Sequence, residues 1–187
     1  MKYNNLLSDN TVVYQEDKIF SKKELIKEFE LFINGGGYKI NKWISTERAP
    51  YHCIIEKGNN KYELIFFLKN ISGAGWINKP NVKRVQVTNV RNGNSENYII
   101  TSKHKTLLVL GYYNFDNRPI MACWDAYRYV EHRTNRSAYI SIDNLIEGYN
   151  NGFICTVCSS QKLWVFTKEN FDKFLNDYFT YNYESGE

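Results

Sequence analysis

The chain has 187 residues, of which 43% are hydrophobic, 24% charged and 16% aromatic, with a net charge of +4. These are globular values that exclude a largely disordered chain, and no apolar run approaches the ~20 residues that a membrane helix needs. Four cysteines, and an N-terminus from Met1 to Asn5 that leads into no signal-peptide apolar region, point to reduced thiols and a cytoplasmic protein.

Residues 1–10 read as a loose lead-in and residues 11–14 as a short strand. Ser21-Lys22-Lys23-Glu24 is a capping box, in which the Ser hydroxyl caps the residue 24 amide and the Glu reaches back. The helix that follows sets Leu25, Phe29, Phe32 and Ile33 on one stripe, and Gly35-Gly36-Gly37 stops it. From Tyr38 the pattern turns to strands. Residues 50–56 and 61–69 form a hairpin around Lys57-Gly58-Asn59-Asn60. The second of these strands is apolar on both faces at its centre, which predicts burial on both sides.

Residues 72–87 form a glycine-loosened loop that runs through Pro80 into a strand. Alternation puts Lys83, Val85 and Val87 on one face, and Arg84, Gln86 and Thr88 on the other. Residues 91–105 read as a polar excursion with room for a short helix from Ser95. Residues 106–113 and 118–129 pair as a central antiparallel hairpin, the second strand carrying Trp124-Asp125. Residues 131–136 are a basic loop and 137–142 a short strand. Asp143 caps a two-turn helix that Gly152 closes. Residues 153–157 and 162–166 make a last hairpin. Thr167 then caps a helix with the stripe Phe171, Phe174, Leu175, Tyr178 and Phe179. The expected fold is α+β over one domain, 1–187, with loose ends at 1–10 and 182–187. It is a curved, mainly antiparallel sheet or partly open barrel with peripheral helices.

The charge is unevenly spread. Between Lys79 and Arg136 there are ten Lys/Arg against four acids, a surplus of six, so the rest of the chain sums to −2. A concentrated basic segment is the electrostatic footprint expected for phosphate. Nucleic-acid readers pair Lys/Arg for phosphates with Asn, Gln and Arg for base edges, and add aromatics for stacking. The expected nucleic-acid contacts are Trp76, Asn78, Lys79, Lys83, Arg84, Gln86, Arg91, Lys103, Lys105, Arg128, Arg133 and Arg136. Lys79, Lys83, Lys103, Lys105 and Arg133 would hold phosphates. Asn78, Arg84, Gln86 and Arg136 would approach bases, and Trp76 would stack or wedge. The bland alternative is a set of solvated strand ends and loops.

Other chemistries find less support in the spacing. Cys155 and Cys158 have knuckle spacing, but Cys53 and Cys123 supply no second close pair, so free cysteines are expected and no metal site. An endonuclease would need acids around Mg²⁺ with a nearby lysine. Glu56, Glu63 and Asp125 are the candidates, with Lys61 in reversed order before Glu63. Glycine-rich phosphate loops and serine nucleophile elbows are absent from the sequence.

Lys79-Pro80 before Lys83-Arg84-Val85-Gln86, then Gly111-Tyr112-Tyr113, Trp124-Asp125, and Arg136-Ser137 ahead of a short helix carry a family resemblance. Across about residues 60–180 the chain resembles stand-alone or fused domains of bacterial restriction-modification systems, which recur beside methylases and in restriction endonucleases. The resemblance implies a DNA-facing role in phage defence, with double-stranded DNA as partner and a methylase or nuclease subunit as a further one. It leaves open whether the chain cuts DNA, with Mg²⁺, or only binds it. A protein-interaction domain with an incidental basic face is the third alternative.

Overall fold

The structure, a computed structural model, describes residues 1–87, 105–130 and 135–184. Strands β1 (Lys2–Leu6) and β2 (Val12–Glu16) form an opening hairpin, followed by helix α1 (Lys22–Gly35). Both arms of the Ser21–Glu24 capping box form, and the Gly36 amide closes the other end onto Phe32 and Ile33 carbonyls. β3 (Lys39–Ser45), β4 (Tyr51–Lys57) and β5 (Asn60–Asn70) run antiparallel. The β4–β5 turn needs only Gly58 and Asn59 because Gly58 takes a φ of 59°. β6 (Ser72–Gly73) and β7 (Val82–Val87) come next, then β8 (Lys105–Tyr113), β9 (Ile120–Trp124) and a single turn, α2 (Tyr127–Val130). The chain closes with β10 (Arg136–Ser141), α3 (Ile142–Asn151), β11 (Phe153–Cys158), β12 (Gln161–Phe166) and α4 (Phe171–Glu184).

The described strands assemble into a seven-stranded sheet in the order β11-β12-β9-β8-β5-β4-β3, a three-stranded sheet β10-β7-β6, and the β1–β2 hairpin. The fold is α+β and mainly antiparallel, and none of these sheets closes into a barrel. One pair departs from the expected hairpin pattern: β5 and β8 are parallel, from Glu63 opposite Lys105 to Asn70 opposite Tyr112. Strands at the centre of a sheet covered on both faces read as continuous apolar runs, and both of these do.

Each face of the large sheet buries its own core. On one side α1 and α4 pack Phe29, Phe32, Phe171 and Phe174 onto Phe66, Leu108, Met121, Trp164 and Phe166. The Phe166 and Phe174 rings stack at 4.0 Å between centroids. On the other side β7, β10 and α3 bring Val85, Val87, Ala138, Ile140 and Leu145 onto Ile65, Phe67, Val109, Trp124 and Val165. Each fully buried large side chain contributes about 1.5–3 kcal/mol of apolar transfer.

Several boundaries correct the sequence expectation. Residues 1–10 are not a loose lead-in, since β1 pairs along its length with β2 and buries Tyr3, Asn5 and Leu6. The strand expected over 118–129 ends at Trp124, where α2 turns the chain. Ser141, not Asp143, caps α3, accepting from the Asn144 amide at 3.1 Å, while Gly152 closes the helix in the left-handed region as expected. Thr167 precedes a 3₁₀ turn without a side-chain cap of its own, and α4 continues to Glu184. The polar excursion at 91–104 and its helix from Ser95 lie outside the described residues. No described helix is long and apolar enough to cross a membrane.

The small sheet lies close on the large one because β8 carries Gly111. A Cβ there would stand 2.6 Å from Ile71 Cγ1 and 2.9 Å from Val85 Cγ1. Gly111→Ala is therefore expected to force the two sheets apart and lower stability by about 1–3 kcal/mol, read as a shift in the urea midpoint.

Candidate nucleic-acid interface

β7 is the middle strand of the small sheet, and its alternation divides its side chains between core and exterior. Lys83, Val85 and Val87 are buried, Gln86 is exposed and Arg84 is half-buried, as the period of two requires. Directly opposite residues in an antiparallel pair share a face, and β10 sets Tyr139 against Arg84 and Ser137 against Gln86. β6 sets Ser72 against Arg84 on the other side. The outer face of the sheet thus presents Ser72, Arg84, Gln86, Ser137 and Tyr139, and none of these positions is acidic. Arg84 Nη1 donates to Ser137 Oγ at 3.4 Å.

The loop before β7 folds back over this face. Trp76 stacks on Tyr139, with ring centroids 5.1 Å apart and planes inclined by 19°. The Lys79 ammonium stands 5.3 Å from the centre of the Trp76 ring. Asn78 and Lys79 are exposed beside it. Two successive turns shape the loop: the Lys79 amide donates to the Trp76 carbonyl, and the Val82 amide to the Lys79 carbonyl, each at 3.1 Å. β1 and α3 hold the second turn, because the Asn4 amide donates to Pro80 O at 3.2 Å and the Ile142 amide to Asn81 O at 3.0 Å. Trp76, Lys79, Arg84 and Gln86 are therefore brought together on one basic, aromatic surface.

Lys83 must be removed from the set of expected phosphate contacts. Its side chain is fully buried, and its ammonium donates to Asp17 Oδ1 at 2.5 Å and Asn5 Oδ1 at 2.9 Å. The rings of Tyr113 and Tyr3 lie 5.5 and 5.8 Å from the nitrogen. Burial pulls the Lys83 ammonium below its ordinary pKa, and the Asp17 carboxylate opposes that shift. Asp17 also accepts from the Gly73 amide at 2.7 Å, and Asn5 from the Tyr113 hydroxyl at 3.1 Å. Lys83 thus ties the N-terminal segment to β6, β7 and β8, and it faces away from the exposed surface.

The remaining basic residues of the expected contacts are scattered. Arg128 donates to the Ser160 carbonyl at 2.6 Å, at the β11–β12 turn. Arg136 lies opposite Val87, so its register belongs to the inward-facing set rather than to that of Arg84, and its charge acts on Tyr129. Lys105 opens β8, with its side chain outside the described part. Arg91, Lys103 and Arg133 lie outside the described residues.

The acids considered for metal chemistry have other company. Glu56 accepts from Asn41 Nδ2 at 2.6 Å and lies 3.9 Å from Lys61. Glu63 Oε1 lies 2.7 Å from His52 Nε2. Asp125 is buried where the chain leaves β9, two strands from β5. Among the described residues no three His, Cys, Asp or Glu side chains are grouped to hold a metal ion. All four cysteines are free thiols, and Cys155 and Cys158 lie on β11, in the hairpin with β12.

Sequence reasoning missed Tyr139, the floor on which Trp76 rests. Its signal was the alternation Ser137-Ala138-Tyr139-Ile140-Ser141, which marks Tyr139 as outward-facing without saying which strand lies beside it. A family model described as "Methylase-associated X1" matches residues 62–175, from within β5 to within α4. The match takes in the whole small sheet and its loop. No curated protein and no solved structure matches the chain.

Proposed function

The chain belongs to the methylase-associated X1 family, and from that premise we propose that it serves a restriction-modification system by binding double-stranded DNA. It acts beside a methylase subunit. The observation that carries this reading is the outer face of β6-β7-β10, where Arg84, Gln86, Ser137 and the Trp76–Tyr139 stack with Lys79 form a strand-and-loop surface that is acid-free among the described residues. Lys79 supplies a cation for phosphate, and Arg84 and Gln86 have the donor and acceptor types that read base edges.

Titrating a labelled duplex with the protein tests this by fluorescence anisotropy. Binding is expected to weaken steeply between about 50 and about 200 mM salt, with a log–log slope near −0.9 per phosphate neutralised. Absence of binding to duplex DNA, methylated or unmethylated, at the low end of that range would end the proposal.

A further inference from the structure

We propose that Ile77 is a wedge that enters a base step of duplex DNA and bends it; this rests on the DNA-binding reading above. Ile77 is 79% exposed, the highest value among the exposed large hydrophobic residues described. Single exposed apolar residues are common, so exposure alone carries little. What distinguishes Ile77 is how it is held and what surrounds it. It is the first central residue of the turn that the Lys79 amide closes on the Trp76 carbonyl at 3.1 Å. That turn is fixed at its start by the Trp76–Tyr139 stack, and the turn that follows it is held by the Asn4 amide on Pro80 O. The side chain therefore projects from an anchored tip, so little conformational entropy is lost when it is buried.

Its neighbours suit DNA better than a protein partner. Asn78 and Lys79 follow it, and Arg84 and Gln86 lie on the adjoining sheet face. Proteins that kink DNA from the minor groove combine this set of residue types with an apolar wedge such as Ile, Leu, Phe or Met. Trp76 is poorly placed for that task, because Tyr139 covers one side of its ring and the Lys79 ammonium stands near it. The structure divides the labour: Trp76 anchors, Ile77 inserts, and Lys79 meets the phosphate next to the opened step. Flexible pyrimidine–purine steps would open most easily.

End-to-end energy transfer across a short duplex with a central TA step tests the wedge. Wild type is expected to shorten the end-to-end distance at saturation, and to prefer a duplex mismatched at that step by about tenfold, because unstacking there is already partly accomplished. Ile77→Ser should bind the matched duplex within several-fold of wild type but lose the bend and the mismatch preference. Binding without any bend by wild type would overturn the wedge and leave the DNA-binding reading standing. Full bending by Ile77→Ser would do the same. No binding of either duplex would overturn both.

Discussion

Replacing Lys83 with Ala is expected to lower stability by about 3–5 kcal/mol, the range seen when one member of a buried ion pair is removed. The side chain is fully buried, and Asp17 is 9% exposed, so the two charges have little water to fall back on. The variant would leave the Asp17 carboxylate and Asn5 Oδ1 facing a cavity, with the Gly73 amide and the Tyr113 hydroxyl as their remaining donors among the described residues. Asp17→Ala should be comparably damaging, because it strands the ammonium. The double variant Lys83→Met with Asp17→Asn should recover much of the loss, since the charges leave together and the amide oxygen can still accept from Gly73. Urea unfolding of wild type and the three variants measures this directly. A Lys83→Ala loss below about 1 kcal/mol would be that of a surface residue and would contradict the inward face of β7.

Lys83 also shows where the sequence was legible and where it was not. The period of two placed Lys83 with Val85 and Val87, and that grouping already implied an interior lysine. The residue type, read alone, suggested phosphate. What the chain could not show locally was the partner: Asp17 lies 66 positions away and Asn5 78. The N-terminus was misread for a related reason. Asn4 and Asn5 favour turns by propensity, yet Asn5 is fully buried because the lysine and Tyr113 need its oxygen. Local chemistry was plain in most places where its cause was local, the Ser141–Asn144 cap of α3 being the exception. The Ser21 capping box, the α1 and α4 stripes, and the β4–β5 and β11–β12 hairpins all lie within a few turns of chain. Pairings that depend on distant closure were not: the parallel β5–β8 ladder spans the whole of β6 and β7, and β10 reaches β7 from some 50 positions away. The candidate surface depends on that last pairing. Trp76 and Arg84 were visible as residue types, but only the β7–β10 register puts Tyr139 between them.

On the proposed DNA-binding reading, the pair Trp76→Ala with Arg84→Ala should weaken binding by about 30-fold or more, with each substitution alone costing about 1–3 kcal/mol. Trp76→Ala removes the ring that rests on Tyr139 and so releases the anchor of the turn, whereas Arg84→Ala removes a donor from the middle of the face. Their effects should differ in kind from that of Lys79→Ala. Taking the Lys79 ammonium away from a phosphate lowers affinity nearly uniformly across sequences and flattens the salt slope by about 0.9. Substituting Arg84 and Gln86 should instead narrow the gap between specific and non-specific duplexes, as expected for groups at base edges. None of these side chains enters either core, so thermal unfolding should remain near wild type and keep the binding loss separate from a folding loss. The Lys83→Met, Asp17→Asn protein completes the comparison. With its stability largely restored and its outer face intact, it should bind DNA like wild type; a loss there as large as that of Arg84→Ala would mean that Lys83 contacts DNA after all.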